Sequence, residues 1–204
     1  MMDYLRDPAA IYRRSFEIIR AESDFSKLPG DAEEVAARIV HACGMPEIAA
    51  ELRISPGFVS AARSALAAGA PVLVDAEMVR HGIIDKQLNV ICTLNDPRAR
   101  DIGLATGNTR SAAAVELWRP HLAGGIAVIG NAPTALFALM EMTDAGAPKP
   151  AAIIGFPVGF VGAAEAKDEL HANPRGIPYA TLLGRRGGSA MAASVINALM
   201  RGAQ

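Results

Sequence analysis

The 204-residue chain is poor in cysteine and in aromatic side chains, and it has no excess charge of either sign. Its two cysteines, Cys43 and Cys92, sit in apolar stretches without metal-ligand spacing, which argues against a disulfide framework and for small buried hydrophobes in a reducing compartment. Twenty Lys and Arg balance twenty-one Asp and Glu. That balance leaves no global field for nucleic acid and no basic stripe for a membrane surface. The N-terminus, MMDYLRDPAA, lacks the apolar core of a signal peptide. The most apolar window, Leu122 to Met142, is broken by Gly130-Asn131-Ala132-Pro133, so it reads as a buried strand followed by a helix rather than a membrane span. A soluble, cytoplasmic protein is expected. His41, His81, His121 and His171 lie tens of residues apart, which gives no metal motif. A Gly-x-x-x-x-Gly-Lys phosphate loop and a Gly-x-Ser-x-Gly nucleophile elbow are both missing.

What is present is an ordered alternation. Residues 8–22 and 31–43 read as amphipathic helices, the second with Asp31 as its cap and Gly44 as its stop, and a third helix is expected from Ser55-Pro56 to about Ala68. From Pro71 onward, short apolar runs recur at 71–75, 90–94, 126–130, 151–155 and 179–183, most of them followed by Gly, Asn or Pro and then by an Ala-rich helical segment. Continuous apolar runs of this length suit strands buried on both faces. The expected fold is α/β, three-layer α/β/α, with a mostly parallel central sheet of about five strands in a single domain spanning 1–204.

In such sheets the ligand crevice lies beyond the carboxyl ends of the strands. The loops 75–77, 107–111, 130–134, 155–162 and 185–189 are placed there, each bringing backbone N–H groups at a helix start. Several such loops around one crevice suggest a ligand with several negative groups. Arg110, directly after Gly107-Asn108-Thr109, is the strongest guanidinium candidate, whereas Arg13 and Arg14 suit a solvated helix face. His41 falls in the last turn of its helix, where the carbonyl end favours imidazolium. Spacing alone does not raise it above the other three histidines.

The segments 10–20, Val40-His-Ala-Cys-Gly44, Asp75-Ala-Glu-Met-Val79, Gly107-Asn-Thr-Arg-Ser-Ala-Ala113, Gly130-Asn-Ala-Pro-Thr-Ala135, 157–165 and Gly187-Gly-Ser-Ala190 resemble, in order, the precorrin-8X methylmutase family. The resemblance implies an isomerase of cobalamin biosynthesis that moves a methyl group from C-11 to C-12 of precorrin-8X, giving hydrogenobyrinate, with no cofactor and no metal. It implies an anionic tetrapyrrole as ligand and a homodimer with the active site near the interface. His41 takes the catalytic position. The candidate substrate contacts are Tyr12, Arg14, Ser15, Asp75, Glu77, Asn108, Thr109, Arg110, Asn131, Gly187, Gly188 and Ser189. Ile84 departs from the family pattern, which has a polar residue there. Cobalt-precorrin-8 as substrate, a non-catalytic corrinoid carrier and a nucleotide-dependent oxidoreductase are the competing readings.

Overall fold

A computed structural model describes Met2 and residues 4–201. The N-terminal third is helical. Helix α1 (Pro8–Glu22) starts under a cap from Asp7, whose carboxylate accepts the Ala10 amide, and buries Phe16 and Ile19. Helix α2 (Glu33–Cys43) buries Val35, Ala36, Ala37, Ile39 and Val40, then stops at Gly44 in the left-handed conformation that glycine tolerates. Asp31 is not its cap. It lies in a short 3₁₀ turn (Gly30–Ala32), and the residue before α2 is Ala32, with no side-chain bond to the helix.

After a second 3₁₀ stretch, Pro46–Glu51, comes strand β1 (Leu52–Ile54) and then helix α3 (Phe58–Ala67). Helix α3 begins later than expected because Ser55 is held by Tyr179: its amide donates to the Tyr179 carbonyl, and its hydroxyl accepts the Tyr179 amide. The five expected strands then follow as β2 (Val72–Val74), β3 (Val90–Cys92), β4 (Ile126–Ile129), β5 (Ala152–Gly155) and β6 (Tyr179–Leu182). Between and after them run α4 (Glu77–Gly82), α5 (Pro97–Thr106), α6 (Arg110–Glu116), α7 (Pro133–Asp144), α8 (Ala163–Ala172) and α9 (Ser189–Arg201).

The sheet has six strands, in the order β1-β6-β5-β4-β2-β3. All pairings are parallel except β1 with β6, which registers Leu52 against Leu182 and Ile54 against Ala180. Alternate strand residues feed two cores, making three layers. Val72, Val74, Val128 and Ile154 meet residues of α1–α4 and α9 on one face. Leu73, Ala127, Ile129, Ile153 and Tyr179 meet α6, α7 and α8 on the other.

This partition locates the ligand crevice. The chain leaves β2 for β3 through α4 on the first face, but leaves β4 for β5 through α7 on the second. The loops after β2 and β4 therefore part in opposite directions between neighbouring strands. Such a switch point opens a crevice at the carboxyl end of the sheet.

Candidate active site

At the switch point the crevice is already filled by a side chain of the chain itself. Asp75, 2 % exposed, accepts three backbone bonds: from Gly130 (2.9 Å) on one oxygen, and from Asn131 (3.0 Å) and Ala132 (2.8 Å) on the other. Burial pushes its carboxyl above the usual range, while the three amides oppose that rise. Its carboxylate closes the amides at the start of α7 and pins the β2 and β4 loops together, which gives Asp75 a structural role at the head of the crevice.

The neighbouring loops are tied to this knot. Thr109 Oγ1 lies 2.8 Å from Thr134 Oγ1, bringing the 107–111 loop beside the 130–134 loop, although it follows a helix rather than a strand. Ser189, at the start of α9, stands against Gly130; a Cβ on that glycine would come within 2.9 Å of the Ser189 Cα. The β5–α8 and β6–α9 loops zip together, with the Gly188 amide donating to the Phe156 carbonyl (2.8 Å) and the Gly159 amide to the Arg185 carbonyl (3.2 Å). Gly187 is wedged between them. A Cβ there would stand 2.5 Å from the Phe156 oxygen and 2.6 Å from the Pro157 oxygen, so no other residue fits without moving the loop. Gly188 is thus a loop fastener through its amide.

His41 joins this assembly through the end of α2. Four residues past Cys43, Glu47 pairs with Arg186 of the β6–α9 loop at 3.0 Å. The imidazole itself is exposed and stacks on Phe16, with ring centroids 5.1 Å apart. Tyr12 lies on the same Phe16 ring at 4.6 Å, so the two expected site residues of α1 and α2 share one aromatic platform. Arg38 donates to the Tyr12 hydroxyl and covers both the Tyr12 and Phe16 rings. Arg201, at the far end of α9, donates to the same hydroxyl at 3.3 Å. Two guanidinium donors thus converge on the Tyr12 oxygen.

The other expected contacts divide. Arg110 is exposed at the start of α6, where Thr109 caps the helix by accepting the Ala112 amide, and Asn108 is exposed beside it. Asn131 is half-buried at the crevice. The Ser15 hydroxyl donates to the Ile11 carbonyl of its own helix, and Arg14 pairs with Glu17 at 3.3 Å on the solvated side of α1. Glu77 lies 3.6 Å from Arg80 and 3.8 Å from His81 within α4. Burial pushes the Cys92 thiol up to about 11 and raises Cys43 as well, so both stay protonated. Ile84 is 71 % exposed, and its turn is held by Asn197, which accepts the Ile84 amide (2.9 Å) and donates to the Gly82 carbonyl (2.9 Å).

Three features of the site escape a reading of the sequence. Arg38 is hidden because its partners, Tyr12 and Phe16, lie on another helix. Val158, Phe160 and Val161 leave large apolar side chains exposed on the β5–α8 loop, with the Arg185 guanidinium 5.5 Å over the Phe160 ring. Lys167 is wholly buried in α8, and its ammonium donates to the Arg186 carbonyl at 2.5 Å. Burial pulls its pKa down to about 8. A signal for it exists: Ala163, Ala166, Lys167 and Leu170 occupy one stripe at helical spacing, and a lysine within an apolar stripe needs a partner.

Comparisons with known proteins show the family and agree with the fold. The family model described as precorrin-8X methylmutase matches residues 10–202. The chain is 58% identical over 203 residues to a precorrin-8X methylmutase of Pseudomonas aeruginosa, covering 98% of each chain. It is 39% identical over 192 residues to a cobalt-precorrin-8 methylmutase of Methanothermobacter thermautotrophicus, covering 93% of this chain and 91% of the relative. Among solved structures, the precorrin-8x methyl mutase of Thermus thermophilus superimposes with a TM-score of 0.84 at 36% identity, covering 95% of each chain.

Proposed function

Since the chain belongs to the precorrin-8X methylmutase family, an isomerase family, we propose that it moves the methyl group of precorrin-8X from C-11 to C-12, giving hydrogenobyrinate, with His41 as the acid. The observation that carries this reading is the placement of His41. It is an exposed imidazole at the carbonyl end of α2, seated on Phe16 beside Tyr12, and linked through Glu47 and Arg186 to the loops at the sheet's carboxyl end.

The rearrangement is a [1,5]-shift, so one carbon–carbon bond breaks at C-11, one forms at C-12, and no proton is gained or lost overall. As imidazolium, His41 donates to a ring nitrogen, draws electron density from the conjugated system while the methyl migrates, and takes the proton back afterwards. Tyr12, on the same Phe16 ring as His41, is the candidate second contact to the macrocycle. Arg110, Arg185 and the Gly187 amide are the candidate partners of the peripheral carboxylates. The apolar side chains of Phe160 and Val161 suit the faces of the macrocycle. They equally suit a second copy of the chain, in keeping with the homodimer, with its site near the interface, that the family resemblance implies. The single sheet supports one domain over 1–204, and the free thiols Cys43 and Cys92 suit the cytoplasm.

The metal-free substrate is favoured over its cobalt form because the 58% identical relative is named for precorrin-8X and the 39% identical one for cobalt-precorrin-8. The test is anaerobic incubation of the protein with precorrin-8X, followed by visible spectrum and mass. A shift to the hydrogenobyrinate spectrum at unchanged mass is expected. Tight binding with no conversion would leave a carrier, and conversion of the cobalt form alone would reassign the substrate.

A further inference from the structure

Lys167 is the one buried cation of α8, and neither the reaction nor the core requires it: the stripe it interrupts would pack as well with leucine or methionine. Burying an ammonium is costly unless its bond does something an apolar side chain cannot. Its Nζ reaches the Arg186 carbonyl, nineteen residues on, at 2.5 Å. The loop that holds this carbonyl is fastened on both sides, by the Gly159 amide to the Arg185 carbonyl and by the Gly188 amide to the Phe156 carbonyl.

The consequence follows from peptide geometry. No peptide bond among the described residues is cis. In a trans peptide the C=O and the following N–H point in opposite directions. The Arg186 oxygen is drawn inward to Lys167, so the Gly187 N–H in the same unit faces outward, away from α8. Gly187 also has no side chain to screen that donor. We infer that Lys167 is a positioning residue, which sets the Arg186–Gly187 peptide so that the Gly187 N–H is presented to a carboxylate of the tetrapyrrole. The same bond fixes the backbone from which the Arg186 side chain reaches Glu47, six residues past His41 in the chain. This inference rests on the substrate assignment proposed above.

The experiment compares wild type, Lys167→Met and Lys167→Gln, titrated with hydrogenobyrinate and assayed in single turnover at saturating substrate. Lys167→Met, which keeps the stem and loses the donor, is expected to bind about tenfold or more weaker, the usual worth of a charge-assisted bond, with a saturated rate within about twofold of wild type. Lys167→Gln, which restores an N–H donor, recovers most of that affinity. Equal affinity in Lys167→Met overturns the inference, as does a saturated rate that falls in step with affinity. A second readout is independent of the variants. In wild type, the Gly187 amide proton should move downfield on adding product, and an unmoved Gly187 signal while its neighbours shift would refute the role. Should the wild type bind no hydrogenobyrinate, the substrate assignment itself fails. Lys167 is then judged by the Gly187 amide in the ligand-free proteins: a shift on Lys167→Met upholds its grip on the peptide, and none overturns it.

Discussion

Replacing Asp75 with asparagine changes one atom at the centre of the switch point, and the hydrogen bonds there allow the outcome to be worked through. One carboxylate oxygen serves Gly130 alone, while the other serves Asn131 and Ala132. The asparagine therefore turns its NH₂ toward Gly130, sacrificing one bond rather than two. A buried amide left without an acceptor costs about 1–3 kcal/mol, and the two surviving bonds each weaken by about 1 kcal/mol as charge is removed. Relief from burying a carboxylate, which burial already pushes toward its neutral form, offsets part of this. The net loss is about 2–4 kcal/mol. For a chain of this size that corresponds to a fall in melting temperature of roughly 5–15 °C. Asp75→Ala, which strands all three amides, should lose more. Thermal unfolding by circular dichroism measures the shift, and hydrogen exchange localises it to Gly130, Asn131 and Ala132. Melting within a degree of wild type in both variants, with those three amides still protected, would refute the view that Asp75 holds the site together.

Other perturbations report on other parts of the account. Lys167 is held near 8 when folded but near 10.5 when unfolded, so between these values the unfolded chain binds more protons and stability rises with pH. Wild type should therefore gain about 3 kcal/mol relative to Lys167→Met across that window in urea titrations, and parallel curves would contradict the assignment. Gly187→Ala drives a Cβ to 2.5 Å from the Phe156 oxygen and must displace the loop. Its product affinity, measured by fluorescence titration, should fall more than its melting temperature. Arg110→Ala should weaken product binding by about tenfold, and the loss should shrink as salt is raised. An unchanged affinity at low salt would remove Arg110 from the site.

The layers of this fold are legible in the sequence because apolar runs such as Ile126–Ile129 and Ala152–Gly155 carry their burial in their composition. Strand β1 is not. Three residues, Leu52–Ile54, are too few to show a period, and they become a strand only because β6 offers an open edge. The start of α2 misleads for a similar reason: Asp31 has the chemistry of a cap, but it lies inside the 3₁₀ turn that follows Pro29, one residue before the cap position at Ala32. At the site, the sequence marks the loops but not their allegiance. Asp75 and Gly188 each bond to a loop far away in sequence, and only the three-dimensional pairing reveals that. Lys167 is missed as well, although a lysine within an apolar stripe at helical spacing is the signal that could have found it.

His41 bears the central claim, and a single-turnover experiment tests it most directly. Stoichiometric His41→Ala protein and precorrin-8X are mixed under anaerobic conditions, and conversion is followed in the visible spectrum. Removing a general acid is expected to slow the methyl shift by about 100- to 10,000-fold. Affinity for hydrogenobyrinate should stay near that of wild type, since the carboxylate-binding loops are untouched. Conversion at the wild-type rate would contradict the assignment of His41 as the proton donor.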